Sequence, residues 1–165
     1  MIQIVEVDAQ MLDEVEKLVA RVFPWRSLDE RMSHWASRRQ HNPIVRLLMR
    51  LYGVSSFVSV WAAVNETGDI CGTTGFYTCP QDEAEAIWLS WFCVDPTQRG
   101  QGIGGKLMEF SIAEAKRQGK QFLRLYTSDD PNEAAAQELY EKYGLTVVGE
   151  EKERTHTTIY RELRL

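Results

Sequence analysis

Hydrophobic positions along the chain follow two periods, one typical of strands and one typical of helices. Residues 2–7 alternate between apolar and polar, which predicts a half-buried strand. From 12 to 22 the apolar residues recur at intervals of three and four, which predicts a helix. Residues 27–52 continue with a helical pattern, which Ser27 would cap and Pro43 interrupts.

The rest of the chain predicts two further helices among six strands. Runs of β-branched and aromatic residues predict three successive strands, and the turn NETGD joins the first two as a hairpin. The predicted elements are strands 55–64, 70–78 and 86–94, a helix 103–119, a strand 121–127, a helix 131–144, and a final strand pair, 145–148 and 157–163. The order β-α-α-β-β-β-α-β-α-β-β predicts a mixed α/β fold, and residues 1–165 are expected to form a single domain.

The same helical period predicts which faces of the two later helices point inward. The residues predicted to share these faces are Ile103, Leu107, Phe110 and Ala113 in the first, and Ala135, Leu139 and Tyr143 in the second.

Composition narrows the classes of function. Of the 165 residues, 44% are hydrophobic and 26% are charged, as in globular proteins, and the net charge of −5 does not suit a nucleic-acid binder. The N-terminus does not resemble a signal peptide, and no apolar run reaches the ~18 residues of a membrane span, so a cytoplasmic location without membrane association is expected. The number of cysteines is odd, and none of them forms a CxxC pair; they are Cys71, Cys79 and Cys93. This favours buried, reduced thiols.

The stretch VDPTQRGQGIGGKL, residues 94–107, places four glycines between a predicted strand and a predicted helix, an arrangement suited to binding an anion. It fits the P-loop pattern GxxxxGK, except that Leu107 occupies the place of the hydroxyl that holds magnesium. It also fits the dinucleotide pattern GxGxxG, but Leu125 stands about 20 residues on, where an acid would bind ribose. A nucleotide-binding protein therefore remains the weakest of the alternatives.

A third pattern, [QR]xxGx[GA], is matched by Arg99, Gly102 and Gly104, and a second motif follows in NEAAAQELYEKYGL. Together they resemble the two coenzyme motifs of the GNAT superfamily of N-acetyltransferases, and the resemblance covers residues 86–148. It implies a mixed, mostly antiparallel sheet flanked by helices, with acetyl-CoA as cosubstrate and no metal.

The resemblance also implies roles for individual residues. The main chain near Phe92 would polarise the thioester carbonyl, Val94 would hold the pantetheine arm, and Tyr140 would protonate the departing thiolate. The coenzyme contacts that it implies are Phe92, Cys93, Val94, Arg99, Gly100, Gln101, Gly102, Gly104, Gly105 and Asn132.

The sequence departs from the family pattern at two positions. Asn132 lies eight residues before Tyr140 rather than seven, so Glu133 is an alternative occupant of the coenzyme-contacting position. Trp88 stands where some members carry a glutamate base. The candidates left for accepting the proton of the amine are Glu83, Glu85 and His34.

The acceptor side is the least informative part of the sequence. The five tryptophan side chains are expected to pack in the core, although one or two of them beside an acid would suit a cationic acceptor. The residues concerned are Trp25, Trp35, Trp61, Trp88 and Trp91, with the acids Asp29, Asp82 and Glu83. We therefore expect an N-acetyltransferase that acts on a primary amine by direct attack in a ternary complex. The alternative from another class is a non-catalytic acyl-CoA sensor, and a homodimer is compatible with either.

Overall fold

The computed structural model of the chain describes residues 1–24 and 41–165. Its elements follow the predicted order. The strands are β1 (Gln3–Glu6), β2 (Ser56–Val64), β3 (Ile70–Thr78), β4 (Ala86–Val94), β5 (Phe122–Ser128), β6 (Thr146–Lys152) and β7 (Thr157–Arg164). The helices are α1 (Leu12–Val22), α2 (Pro43–Leu51), α3 (Ile103–Arg117) and α4 (Ala134–Lys142).

The strands form one seven-stranded sheet in the order β1-β2-β3-β4-β5-β7-β6. All neighbouring pairs are antiparallel except β4 and β5, which are parallel. Helix α3 lies between β4 and β5 in the chain, and a parallel pair requires a crossover connection of this kind. The predicted mixed α/β fold, mostly antiparallel and flanked by helices, is confirmed.

The two faces of the sheet are covered by different helices. On the first, which we call the α3/α4 face, Met108 and Tyr140 pack with strand residues such as Ile87, Leu89 and Leu123. On the second, the α1 face, buried residues of α1 pack against β2 and β4; they are Val15, Leu18 and Val19 with Ala62 and Cys93. All three cysteines are buried thiols, as the sequence predicts.

Helix α2 begins at Pro43, the residue predicted to interrupt the helical pattern of residues 27–52. Asn42 caps the helix, its Oδ1 accepting a hydrogen bond from the Ile44 N–H at 2.9 Å. Proline suits the first helical position, where the missing N–H would have no partner inside the helix. The predicted cap, Ser27, lies outside the described residues, as do Trp25, Asp29, His34 and Trp35.

Two residues predicted on inward helix faces, Ala113 and Ala135, are exposed. In α3 the buried positions include Ser111, whose hydroxyl lies 2.9 Å from Thr74 Oγ1 in β3 and donates to the Leu107 carbonyl. A polar residue can occupy the inward face when its hydroxyl is bonded, and the hydrophobic pattern does not reveal this. In α4 the buried residue is Tyr140.

Membrane-spanning helices and metal-binding clusters are both absent from the described residues. None of the described helices is long and apolar enough to cross a membrane. Within residues 1–24 and 41–165, no group of three or more His, Cys, Asp or Glu side chains is placed to hold a metal ion.

Candidate functional site

The parallel strands β4 and β5 pair over only part of their length. The pairing joins Ala86, Ile87 and Trp88 to Phe122, Leu123 and Arg124, and it stops there. Beyond it, residues 89–94 of β4 and 125–128 of β5 have no pairing with each other. We call the space between these two segments the β4–β5 gap.

A β-bulge lies in β4 beside this gap. The register with β3 shifts between Thr73 and Gly75, so that Trp91 and Phe92 together oppose Thr74. Trp91 has a φ of +50°, which a bulky residue adopts only when its surroundings hold it there. The extra residue reverses the alternation of β4, so that Phe92 faces α3 and α4 while Trp91 faces α1.

The main chain of β4 after the bulge points polar groups into the gap. The Asp95 N–H donates to the Cys71 carbonyl of β3 at 2.8 Å. Because partners alternate along an antiparallel ladder, the N–H group of Val94 points away from β3. The Val94 carbonyl does the same, and Arg99 Nε donates to it at 3.4 Å.

Asp95 organises the turn that leaves β4. Its Oδ1 accepts hydrogen bonds from the Thr97 N–H at 2.9 Å and the Thr97 hydroxyl at 2.8 Å, and its Oδ2 forms an ion pair with Arg21 of α1. Burial favours the neutral carboxyl, but these hydrogen bonds and the charges of Arg21 and Arg99 outweigh it and lower the pKa of Asp95. The carboxylate therefore ties α1 to the β4–α3 loop.

Replacing Asp95 with Asn should lower the free energy of unfolding at pH 7 by about 1 kcal/mol, because the amide keeps the cap through Oδ1 but loses the ion pair with Arg21. Because the pKa of Asp95 is lowered in the folded state, the stabilisation is present above the unfolded value of about 3.9 and is lost as the pH falls through the folded value. Urea unfolding of both proteins between pH 7 and pH 3 tests this.

The matched control for that experiment is Asp130→Asn, since Asp130 caps the turn Pro131–Glu133 through the Asn132 N–H at 2.8 Å. The described residues show no ion pair of Asp130 with another element. An equal loss in both variants would mean that the link to α1 contributes nothing.

The glycines at the start of α3 fall into two groups. Gly100 and Gly102 have φ values of +78° and +75°, and a Cβ on either would meet nothing within 4 Å. Gly102 is the N-cap of α3, and the first turn carries neither a capping side chain nor an acid. The first N–H groups of the helix, its positive end and the exposed Arg99 thus form a cradle suited to an anion.

Gly104 and Gly105 instead allow α3 to lie close to α4. A Cβ at Gly104 would stand 3.3 Å from Leu139 Cδ2, and one at Gly105 would stand 3.1 Å from Tyr143 Oη. Even a Cβ at Gly104 therefore requires the Leu139 side chain to shift by a few tenths of an ångström. Gln101, between the two groups, is exposed and donates to Gln98 Oε1 at 3.1 Å.

Tyr140 brings α4 to the gap. Its side chain is buried, and its ring centroid lies 6.0 Å from that of Phe92. Burial raises the pKa of Tyr140 well above its usual value, nearby Glu133 and Cys93 raise it further, and Arg161 offsets part of the effect. The phenol therefore keeps its proton at neutral pH. Tyr143, predicted as core, is half-buried, and its hydroxyl donates to Glu109 Oε1 at 2.8 Å.

Asn132 and Glu133, the alternative occupants of one coenzyme-contacting position, point in different directions. Glu133 Oε2 accepts from the Ser128 N–H at 2.8 Å and from the Thr127 hydroxyl, so this carboxylate is bonded to the end of β5. Asn132 is exposed, and its Nδ2 donates to Asp130 Oδ1 at 2.8 Å. Of the two, Asn132 is the side chain at the surface.

Sequence reasoning missed the buried guanidinium of Arg161, which anchors α4 behind Tyr140. Arg161 donates to Gln137 Oε1 at 2.9 Å, to Glu141 Oε1 at 2.9 Å and to the Leu145 carbonyl at 3.0 Å. The signal available in the sequence was an arginine at an inward position of an alternating strand. Such a charge is tolerated only where its donors are bonded.

The remaining predicted residues lie on the α1 face, in the core or at the surface. Trp88 is half-buried on the α1 face, and its Nε1 donates to Asp82 Oδ2 at 2.9 Å. Trp61 is buried in the core, where its ring meets those of Phe76 and Phe110 edge-on. The Glu83 side chain is exposed, and no described contact of this side chain places it at the gap.

Comparison with known proteins adds family information to this geometry. The model of the acetyltransferase (GNAT) family matches residues 12–145. No curated protein matches the chain in sequence.

Solved structures share the whole fold at low sequence identity. A GNAT-family acetyltransferase from Staphylococcus aureus Mu50 is 21% identical, with 99% of this chain and 100% of that chain covered and a TM-score of 0.73. An aminoglycoside 6'-N-acetyltransferase complexed with coenzyme A is 20% identical, with 98% and 96% covered and a TM-score of 0.71. A GNAT-family acetyltransferase from Elizabethkingia anophelis with acetyl-CoA bound is 19% identical, with 99% and 98% covered and a TM-score of 0.66.

The family model spans most of the chain, and these structures share its fold over almost its full length. The chain belongs to the acetyltransferase (GNAT) family and is an acyltransferase enzyme.

Proposed function

We propose that this protein transfers the acetyl group of acetyl-CoA to a primary amine by direct attack, and that residues 1–165 act as one acetyltransferase domain. The observation that carries the proposal is the unpaired part of β4, where Phe92 and Val94 border the β4–β5 gap beside the buried phenol of Tyr140. The acetyl donor, the main-chain group near Phe92 that polarises its carbonyl, and the Tyr140 hydroxyl that supplies a proton would then meet at one place.

In this proposal the glycine cradle binds the pyrophosphate of the coenzyme. The N–H groups of the first turn of α3 would donate to phosphate oxygens, and Arg99 would add a positive charge at the rim. The pantetheine arm would bind β4 as an added strand, through the main-chain groups of Phe92, Cys93 and Val94. Gly100 and Gln101, together with Gly104 and Gly105 in the first turn of α3, would line the coenzyme site. Asn132, which is exposed just before the start of α4, would contact the coenzyme as well.

The chemistry that follows needs one oxyanion donor and one acid. The amine nitrogen attacks the thioester carbon while the Phe92 N–H donates to the carbonyl oxygen, a role worth about 3 kcal/mol of barrier in comparable sites. As the carbon–sulfur bond breaks, Tyr140 gives its proton to the leaving sulfur and then regains one from solvent. An ammonium acceptor first loses a proton to solvent, and the attacking amine nitrogen loses a second proton to solvent as the tetrahedral adduct collapses to the amide. Cys93 is not needed, since its thiol is buried in a strand.

A coenzyme sensor without catalysis is the second candidate, and one observation favours it. Position 88 carries a tryptophan whose Nε1 is bonded to Asp82, so no carboxylate is available there as a base. Release of thiol from acetyl-CoA in the presence of a panel of amines tests the proposal directly. Coenzyme A binding without thiol release from any amine would instead identify a sensor.

We expect kcat/KM to rise with pH up to the pKa of the acceptor amine. With Trp88 in place of a base, the enzyme depends on the fraction of amine that is already unprotonated. Profiles for two amines of different pKa should therefore be displaced along the pH axis by that difference. A profile already flat well below the pKa of the amine would identify an efficient base in the protein and contradict the expectation.

A further inference from the structure

Five aromatic side chains form a continuous row across the α1 face of the sheet. Trp91 stacks on Phe57 with ring centroids 5.8 Å apart, and Phe57 lies 6.4 Å from Tyr77. Tyr77 lies 6.0 Å from Trp88, which meets Tyr160 edge-on at 6.5 Å. We call these residues the ring row. All spacings lie in the range at which aromatic side chains contact each other.

The ring row begins at the bulge that borders the gap. Trp88 projects to the α1 face because its neighbours Ile87 and Leu89 belong to the core on the α3/α4 face. The bulge sends Trp91 to the same α1 face, where an unbroken strand would place it on the opposite one. Helices α3 and α4, with Tyr140, occupy the other face. The ring row therefore leads to the gap from the face opposite Tyr140.

Carboxylates gather at the Trp88 end of the row. Arg124 pairs with Asp82 at 2.6 Å, with Glu162 at 2.7 Å and with Glu85 at 3.4 Å. We call these three acids the acidic cluster; against one guanidinium, they leave an excess of two negative charges. Counting the neighbouring Glu83 and Lys120, whose Nζ donates to the Glu83 carbonyl, adds one charge of each sign and leaves the excess unchanged.

One oxygen of this cluster lacks a donor. The Asp82 side chain is 10% exposed, and its Oδ2 accepts from both Trp88 and Arg124. Its Oδ1 is buried, and nothing in residues 1–24 and 41–165 donates to it. A buried carboxylate oxygen without a donor leaves the negative charge of Asp82 poorly stabilised, so a cation bound beside the exposed acids of the cluster would be attracted by that charge.

We propose that the ring row and the acidic cluster bind the acceptor, and that they select an amine carrying a second positive charge about 10 Å from the reacting nitrogen. In this proposal the reacting nitrogen lies at the gap beside Trp91, and the distal charge lies beside Trp88. These two residues are three positions apart on β4, at ~3.3 Å per residue. The rings would contact the methylene chain and the cation, and the cluster would pair with the distal charge. This inference rests on the proposed function and names its substrate class.

The test compares three acceptors of one chain length that differ at the distal end: diaminooctane, octylamine and aminooctanoate. Thiol release should give a kcat/KM about fivefold or more higher for the diamine than for octylamine, the scale of a partly exposed charge pair. Aminooctanoate, with a distal negative charge, should be the poorest. Equal values for all three acceptors would overturn the inference while leaving amine acetylation standing.

Variants locate the preference in the cluster. Glu85→Gln and Glu162→Gln should each reduce the ratio of diamine to octylamine kcat/KM severalfold. Glu138→Gln is the control, because it removes the same charge from an exposed position on α4 and should leave the ratio unchanged. Glu85 is about half exposed and its contact is the weakest, so that variant decides the matter if Glu162→Gln does not fold. An unchanged ratio in a folded Glu85→Gln protein would overturn the assignment.

Calorimetry separates this inference from the proposed function. Diaminooctane should bind the protein saturated with coenzyme A more tightly than octylamine does, and Glu85→Gln should remove the difference. If that pattern holds without any thiol release, the acceptor surface is supported and the transferase proposal fails. If thiol is released but diamine and monoamine bind alike, the transferase stands and the acceptor surface fails.

Discussion

Replacing Tyr140 with Phe should lower kcat by ~100-fold or more, the usual scale for a positioned general acid. The structure supports this expectation through position, because the buried ring of Tyr140 lies 6.0 Å from that of Phe92 at the β4–β5 gap. The loss should appear in kcat more than in KM, since the proton is needed only as the thiolate leaves. Steady-state kinetics with acetyl-CoA and a good acceptor measure it.

Tyr140 also belongs to the main core cluster, so the same variant must be tested for stability. The phenylalanine keeps the ring contacts, and we expect a melting temperature and a coenzyme A affinity close to those of the wild type. Tyr143→Phe is the matched control, since Tyr143 follows Tyr140 by three residues, and its hydroxyl donates to Glu109 of α3 and should be dispensable for turnover. A near-normal kcat in Tyr140→Phe would remove this residue from the mechanism and favour the coenzyme sensor.

Replacing Gly102 with Val should weaken coenzyme A binding by at least tenfold. The side chain would occupy space at the start of α3 that the protein itself leaves open, where we propose the pyrophosphate binds. The φ of +75° adds a conformational cost that could by itself unfold part of the protein. Calorimetry with coenzyme A therefore needs a control for this backbone strain.

Gly119 provides that control. Its φ is +72°, a Cβ there would also meet nothing within 4 Å, and it follows the C-terminal end of α3 rather than preceding its start. Gly119→Val should lose similar stability and keep its affinity for coenzyme A. Equal affinity in both folded variants would contradict the cradle, and displacement of coenzyme A by NAD or ATP in the wild type would favour a nucleotide site.

The local pattern of the chain determines most of the elements of the fold. The predicted limits of β3 and β4, 70–78 and 86–94, coincide with the observed strands, because β-branched and aromatic runs there are bounded by turn residues. The glycine stretch before α3 was equally readable, since positive φ at Gly100 and Gly102 requires glycine. The two motifs of the resemblance indicated the family that the family model confirms.

Helix faces were predicted less well, for reasons that lie outside the helix. Ser111 is buried because Thr74 of β3 supplies a hydrogen-bond partner, and a hydrophobic pattern counts a serine as outward-facing. Arg161 is buried because α4 offers Gln137 and Glu141 to its donors. In both cases the partner is remote in sequence, so its position cannot be inferred from the residues nearby.

The sequence by itself therefore determined which segments become strands and helices, and where a backbone without Cβ atoms could hold an anion, because both depend on neighbouring residues. Tertiary structure decided that pairing of β4 with β5 stops at Trp88 and that a bulge at Trp91 reverses the faces of the residues after it. Each depends on register between strands that are distant in the chain, and a shift of one residue exchanges the two faces of a strand. That exchange places Phe92 beside Tyr140 and Trp91 on the α1 face.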